Sequence, residues 1–382
     1  MIYLDNAATT RPTQEVADAV ARAMLDCYGN PSSAHALGVE AARALDGARR
    51  AIAGVLRAPR DRVFFAASGS EANNMAIFGA CPPGARRPGR IVTTRAEHAS
   101  VLNAVRELEG RGWQADYAGV DSLGRVDLAM LESAIGEDTA LIALSHVNSE
   151  TGAAQPIEAI GRIRDRRNPG AALFFDCVQS FCKLELLPER LGADMVSFSA
   201  HKIHGPKGVA ALYARGGLRL RPLVHGGGQE AGLRSGTENT PGICGFAAAA
   251  SALAPRIGEN AAKAARLKAR LLEGLDGSGL EYCRVSPPDG SPYILCVAFA
   301  GVRAEVLLRS LSAEGVCVSA GSACSSRHRS RRGSSALNAM GLSREVIEGA
   351  LRFSFSPFSE AGEVDEALDR LRAIVPTLRA KR

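Results

Sequence analysis

Short apolar runs, each followed by a stretch with helical spacing, fill the middle of the chain, and this alternation restricts the fold more than any other feature. The runs fall at residues 63–67, 90–94, 140–147, 172–176, 195–199 and 209–214. Helical periodicity appears at 13–28, where Thr13 is a suitable N-cap, and again at 71–79, 99–109 and 156–166. A further helix carries Leu37, Ala41, Leu45, Ala48, Ile52 and Val55 and must end before Pro59. Apolar strands separated by helices predict an α/β fold with a mostly parallel sheet covered on both faces. After about residue 251 the pattern changes: helix 259–275, strand 294–299, helix 304–313, strand 316–319, a polar loop, strand 351–355 and a last helix. This predicts a second, smaller α/β domain, which suits 382 residues better than a single core.

Apolar residues make up 46% and charged residues 23%, as in a soluble globular protein. No apolar run is long enough to span a bilayer, and Met1-Ile2-Tyr3-Leu4-Asp5 has no basic stretch leading into an apolar one, so the expected location is cytoplasmic, with no membrane partner. The net charge of +6 is interspersed except at Arg327-His328-Arg329-Ser330-Arg331-Arg332, and no nucleic-acid recognition motif accompanies it. The nine cysteines form no C-x-x-C pair and no His/Cys set completes a zinc site, so neither a disulfide framework nor a metal is expected.

In open α/β sheets ligands bind beyond the carboxyl ends of the strands. Here the unusual polar residues fall there repeatedly: Ser70, His98, His146 with Asn148, Asp176 with Gln179, and Ser199 with His201 and Lys202. In Ser68-Gly69-Ser70-Glu71, glycine permits a tight turn and Ser70 is read as the N-cap of a helix whose N-terminus can hold phosphate. Taken alone, this is equally a plain capped helix. Asp176 and Lys202 are either a structural ion pair or the pair of a pyridoxal-phosphate (PLP) site, in which lysine forms a Schiff base and an acid partners the pyridine nitrogen. The glycines of 226–228 and the hydroxyls of 234–237 are either a flexible loop or a phosphate cradle. Cys324 lies among small residues in Gly321-Ser322-Ala323-Cys324-Ser325-Ser326, followed by basic residues that favour the thiolate. No large apolar residue appears from Ser325 to Ser335, so an accessible nucleophile on a mobile loop is expected there.

These residues resemble the cysteine desulfurases of the class V aminotransferase group, the type that supplies sulfur to iron–sulfur clusters. The matching motifs are Tyr3 to Thr10, Gly29-Asn30-Pro31-Ser32-Ser33, Glu71-Ala72-Asn73-Asn74, Glu97-His98, Asp176-Cys177-Val178-Gln179, Ser197 to Lys202, Gly205-Pro206-Lys207-Gly208, His225 to Gln229, Arg234-Ser235-Gly236-Thr237, Gly321 to Cys324 and Arg352-Phe353-Ser354. The resemblance implies fold type I of the PLP-dependent transferases. A large PLP-binding domain (13–252) would carry a seven-stranded, mostly parallel sheet, and residues 1–12 with 253–382 would form a small domain bearing the cysteine loop. It implies that Lys202 carries PLP, Asp176 pairs with the ring nitrogen, Gln179 bonds the ring oxygen and His98 stacks on the ring and helps move protons. Gly69, Ser70, Ser199 and His201 would hold the phosphate, and Thr237 would reach that of the partner subunit in an obligate homodimer. Arg352 would bind the carboxylate of L-cysteine, with Asn30 nearby. Cys324 would take the sulfur as a persulfide and pass it to an acceptor protein.

Two positions depart from the family pattern. Ser149 stands where a second Asn usually contacts the cofactor, leaving Asn148 as the candidate, and the glycine of 67–70 is shifted. The basic run after Cys324 either docks an acidic acceptor or keeps the loop soluble. A selenocysteine lyase, another class V aminotransferase, or a non-catalytic scaffold would share much of this pattern. Cys324 favours desulfurase over transamination, which needs no thiol.

Overall fold

The computed structural model describes residues 1–320 and 334–379. After β1 (Ile2–Tyr3) come α1 (Gln14–Asp26) and α2 (Ala36–Val55). The alternating segment runs β2 (Val63–Ala66), α3 (Gly69–Ala80), β3 (Arg90–Thr94), α4 (Ala99–Glu109), β4 (Gln114–Ala118), α5 (Leu128–Ala134), β5 (Thr139–Ser145), α6 (Ile157–Arg167), β6 (Ala172–Asp176), β7 (Met195–Ser199), β8 (Ala210–Ala214) and α7 (Thr240–Leu253). Seven of these strands form one sheet in the order β2-β8-β7-β6-β5-β3-β4. Every pairing is parallel except those of β8, which runs antiparallel to both neighbours.

Both faces of this sheet are covered, and strand alternation decides which side chain goes where. Leu173 and Phe175 of β6 point into one cluster with Ile52, Ile160 and Phe246. Phe174, between them, points into the other with Met75, Val105 and Leu108. Each such side chain, fully withdrawn from water, contributes about 1.5–3 kcal/mol. The continuous apolar runs are therefore two-sided strands.

The chain continues through α8 (Ile257–Asp276), β9 (Tyr282–Arg284), β10 (Ile294–Phe299), α9 (Ala304–Ala313), β11 (Val316–Cys317), β12 (Ser319–Ala320), α10 (Ser335–Ala339), α11 (Arg344–Gly349), β13 (Ala350–Ser354) and α12 (Ala361–Arg379). A second sheet has the antiparallel order β12-β13-β10-β9. Its core includes Leu267, Leu295, Phe353 and Leu371, together with Ile2, Leu4 and Ala7 from the start of the chain. The strand expected over 316–319 is two strands: β11 pairs in parallel with β1, and β12 pairs with β13.

The periodicity did not reveal β4, α5 or α7. In β4 only Ala118 is buried, because it is the sheet's edge strand and Gln114 and Asp116 meet water. Helix α7 buries Ile243, Phe246, Ala250 and Leu253, and its less buried face is made of Pro241, Cys244, Ala248, Ser251 and Ala252, small and mostly apolar residues that give no polar stripe to read. Among the described residues no helix is long and apolar enough to cross a membrane.

Candidate active site

Strands β6 and β7 are neighbours in parallel register, with Asp176 opposite Ser197. Asp176 is the last residue of β6, and Lys202 closes a 3₁₀ turn, Ala200–Lys202, immediately after β7. Both therefore lie beyond the same carboxyl edge. The Asp176 carboxylate is 7% exposed and accepts two hydrogen bonds, Oδ1 from Val178 N at 3.0 Å and Oδ2 from Asn73 Nδ2 at 2.7 Å. Lys202 Nζ donates to the carbonyls of Ala7 and Ala8, each at 2.7 Å. The Ala7 carbonyl also accepts from Gln179 Nε2 at 2.9 Å, which joins Lys202 to the segment just after Asp176. On its other side Gln179 Oε1 accepts from Lys183 Nζ at 3.2 Å, so the orientation of its carboxamide is set from both ends. Burial, then the charges of Lys202 and Arg352, lower the Lys183 pKa to about 7.

The α3 N-terminus faces this edge. Its N-cap is Ser68, not Ser70: Ser68 Oγ accepts from Glu71 N at 3.1 Å, while Glu71 Oε2 accepts from Ala67 N at 3.0 Å. The capping arrangement Ser-x-x-Glu is satisfied two residues earlier than read from the sequence, leaving Ser70 inside the first turn. A Cβ on Gly69 would lie 2.9 Å from Val178 Cγ2 and 3.7 Å from Ser199 Cβ. The close approach is to the Val178 side chain just after β6, which would have to shift to admit a Cβ at this helix start. Ser199, 1% exposed, has a buried Oγ without a hydrogen-bond partner among the described residues. An unsatisfied hydroxyl beside free helix N–H groups is a place for an anion. His201 borders it, its Nδ1 3.2 Å from Thr9 Oγ1, and burial followed by Lys202, Lys207 and Lys183 depresses its pKa to about 4.

His98 caps α4, with Nδ1 accepting from Ser100 N at 3.2 Å. Next to it, Glu97 is wholly buried and accepts from Thr94 Oγ1 at 2.8 Å and Ser145 N at 2.7 Å. Burial raises its pKa to about 7 against the pull of those bonds. Asn148 is engaged locally: Oδ1 accepts from Glu150 N and Thr151 N, both at 2.9 Å, and Nδ2 donates to Ala96 O at 3.0 Å. It shapes the turn that presents the Ser149 carbonyl to Arg352.

Arg352, on β13 and 5% exposed, donates from Nη1 to Ser149 O at 2.7 Å and from Nη2 to Asp5 Oδ1 at 3.0 Å. Its Nε is buried without a hydrogen-bond partner among the described residues. Asn30 and Thr237 are exposed. Among the described contacts neither reaches Lys202; instead Pro31, Ser32 and Glu238 line one surface cavity together. Glu71 Oε1 accepts from Arg234 Nε at 2.8 Å, fastening the glycine-rich segment to α3. Cys324 and the basic run 327–332 lie outside the described residues.

The sequence reading did not find Asn73, Ser100, Lys183 or the Ala7 and Ala8 carbonyls. Asn73 lay inside a quoted motif without a role, and a backbone acceptor leaves no trace in composition.

Fold and site together define an α/β enzyme architecture, with an amine, a carboxylate and a buried unsatisfied hydroxyl converging beyond the carboxyl ends of the central strands. The aminotransferase class-V family model matches residues 2–367, and the chain belongs to that family. Cysteine desulfurase 2 of Trichormus variabilis is 40% identical over 100% of this chain and 94% of its own. Cysteine desulfurase IscS 1 of Archaeoglobus fulgidus is 36% identical over 100% of this chain and 98% of its own. Among solved structures, a NifS-like protein superposes with a TM-score of 0.92 at 36% identity, covering 99% of this chain and 100% of that one. A structure described as SspA in complex with cysteine has a TM-score of 0.83 at 32% identity, covering 94% and 100%.

Proposed function

We propose that this chain is a PLP-dependent cysteine desulfurase that converts L-cysteine to L-alanine and carries the sulfur on Cys324 as a persulfide. The observation that carries the reading is the convergence of Lys202, Asp176 and Gln179 beyond adjacent strand ends, next to the Ser199 hydroxyl at the α3 N-terminus, which has no partner among the described residues. That donor set fits PLP group by group. Lys202 supplies the attaching amine, Asp176 an acceptor for a protonated ring nitrogen, and Gln179 an amide for the ring oxygen. Ser199, Gly69, Ser70 and His201 supply donors for the phosphate. The full-length likeness to cysteine desulfurases and to a cysteine-bound structure supports the choice of substrate.

When bound, PLP supplies an electron sink that stabilises negative charge at the substrate Cα. The remaining work belongs to the protein. Arg352 binds the substrate carboxylate through its guanidinium, and Lys202 Nζ takes the α-proton. His98 would stack on the ring of bound PLP and assist proton movement. Cys324 Sγ, as thiolate, attacks the substrate sulfur: a new S–S bond forms, the C–S bond breaks, its electron pair is protonated at Cβ, and the proton held by Lys202 returns to Cα to give alanine. The segment around Cys324 then delivers the outer sulfur to an acceptor protein for iron–sulfur cluster, thio-cofactor or tRNA biosynthesis.

The large PLP-binding domain in this reading is 13–252, the small one 1–12 with 253–382. Two chains pair so that Thr237 serves the partner's phosphate and the Asn30 loop lines the substrate entrance. The expected site of action is the cytoplasm.

Purified protein mixed with PLP should develop a visible absorbance band that Lys202→Ala abolishes. Cysteine should then yield alanine and add one sulfur to Cys324, read by mass spectrometry. Cys324→Ala should form the band but not the sulfur adduct. A wild-type protein that stays colourless with PLP, or a Cys324→Ala variant that still turns over cysteine, defeats the proposal.

A further inference from the structure

We infer that Asn73 is a positioning residue that locks Asp176 and His98 into one hydrogen-bonded line; the inference rests on the PLP reading above and deepens it. Asn73 lies on α3, between β6 and the start of α4, and is 1% exposed. Both of its amide protons and its oxygen are engaged. Oδ1 accepts from Ser197 Oγ, and the two Nδ2 protons go to Asp176 Oδ2 at 2.7 Å and Ser100 Oγ at 2.8 Å. The amide cannot be reversed, because that would set Oδ1 against the Asp176 carboxylate.

The direction of every proton in the line then follows. Ser100 Oγ accepts from Asn73, so its own hydrogen is free to go to its other neighbour, His98 Nδ1, at 2.8 Å. The same Nδ1 accepts from the Ser100 backbone N–H at 3.2 Å. Nδ1 therefore carries a lone pair, and the ring proton sits on Nε2. At the opposite end, Asp176 accepts on both oxygens, from Asn73 and from Val178 N. Both carboxylate oxygens are thereby fixed in orientation by N–H donors. One carboxamide thus orients the Asp176 carboxylate and aims the Ser100 hydroxyl that holds the histidine ring in place. Neither the strand carrying Asp176 nor the helix carrying His98 can move independently of α3. Asn74 reinforces the join, donating from Nδ2 to Ser70 O at 2.8 Å and Ser100 O at 3.3 Å.

The test begins on cofactor-free protein labelled with ¹⁵N-histidine, where His98→Gln identifies the His98 signals. Wild type should show the Nε2-protonated ring. Ser100→Ala should move the Nδ1 resonance downfield by about 5 ppm or more through loss of one donor, and Ser100→Thr should restore it. Asn73→Asp, isosteric but lacking the Nδ2 donor, should produce the same movement. In PLP-loaded protein Asn73→Asp should alter the absorbance spectrum and lower kcat about tenfold or more, with KM for cysteine within about twofold. An Nδ1 resonance that stays in place in both Ser100→Ala and Asn73→Asp overturns the inference, as does an unchanged spectrum and kcat in Asn73→Asp. Failure of wild type to bind PLP would instead count against the desulfurase reading, because the resonance measurement needs no cofactor.

Discussion

His146 follows β5 with 7% of its surface exposed, and its buried Nδ1 has no hydrogen-bond partner among the described residues. Burial lowers its pKa from 6.5 to about 4. The folded state therefore holds this ring neutral where the unfolded chain would protonate it. Its contribution is fully present above the unfolded value and is lost as pH falls from about 6.5 toward about 4. Compared with His146→Gln, which does not titrate, wild-type stability should fall by a further ~2 kcal/mol between about pH 7.5 and about pH 5. Urea unfolding of both cofactor-free proteins at the two pH values checks this, and parallel losses would show that another group governs the dependence. The placement of Lys202, Asp176 and Gln179 at the carboxyl ends of apolar strands was legible in the sequence. The partners of those side chains were not. Nothing in the sequence around Gln179 says that Lys183, four residues on, orients its carboxamide.

The turn that presents Lys202 depends on close backbone contact. Ala200 O accepts from Ile203 N at 3.0 Å and Gly205 N at 2.9 Å, and a Cβ on Gly205 would lie 2.8 Å from Ala200 Cβ and 2.9 Å from Ala200 O. Backbone cannot yield as a side-chain tip can. Gly205→Ala should therefore cost about 1–3 kcal/mol of stability and weaken PLP binding as the turn shifts. Thermal unfolding and titration with PLP measure the two effects. A variant with wild-type values in both would show that the turn adapts. Elements with strong periodicity or continuous apolar runs were legible, as in α4 and β10, whose limits match the sequence reading. The edge strand β4, where only Ala118 is buried, and α7, whose less buried face carries small and mostly apolar residues, were not, since neither shows a strong apolar–polar contrast in its sequence.

At the scale of the whole molecule, Arg352 ties together three distant stretches: β13 itself, Asp5 beside β1, and the Ser149 turn after β5. The Arg352–Asp5 pair is 3.0 Å apart, with side chains 6% and 18% exposed. Removing one charge of a buried pair strands the other. Asp5→Asn should destabilise the protein by about 3 kcal/mol, read by chemical unfolding at neutral pH. A change below about 0.5 kcal/mol would class the pair with exposed ion pairs.

The sequence alone determined the α/β class, the two-sided burial of the central strands and the row of polar residues at their carboxyl ends. Hydrophobic periodicity and turn chemistry are local, so they can be read from neighbouring residues. The tertiary structure decided which groups meet. Lys202 finds its acceptors 194 and 195 residues away, Asp176 its Asn73 donor 103 away, and Arg352 its counter-ion 347 away. Such pairings arise when sheet order and helix packing bring remote backbone and side-chain groups into a space from which water has gone. No property of either segment by itself encodes the other.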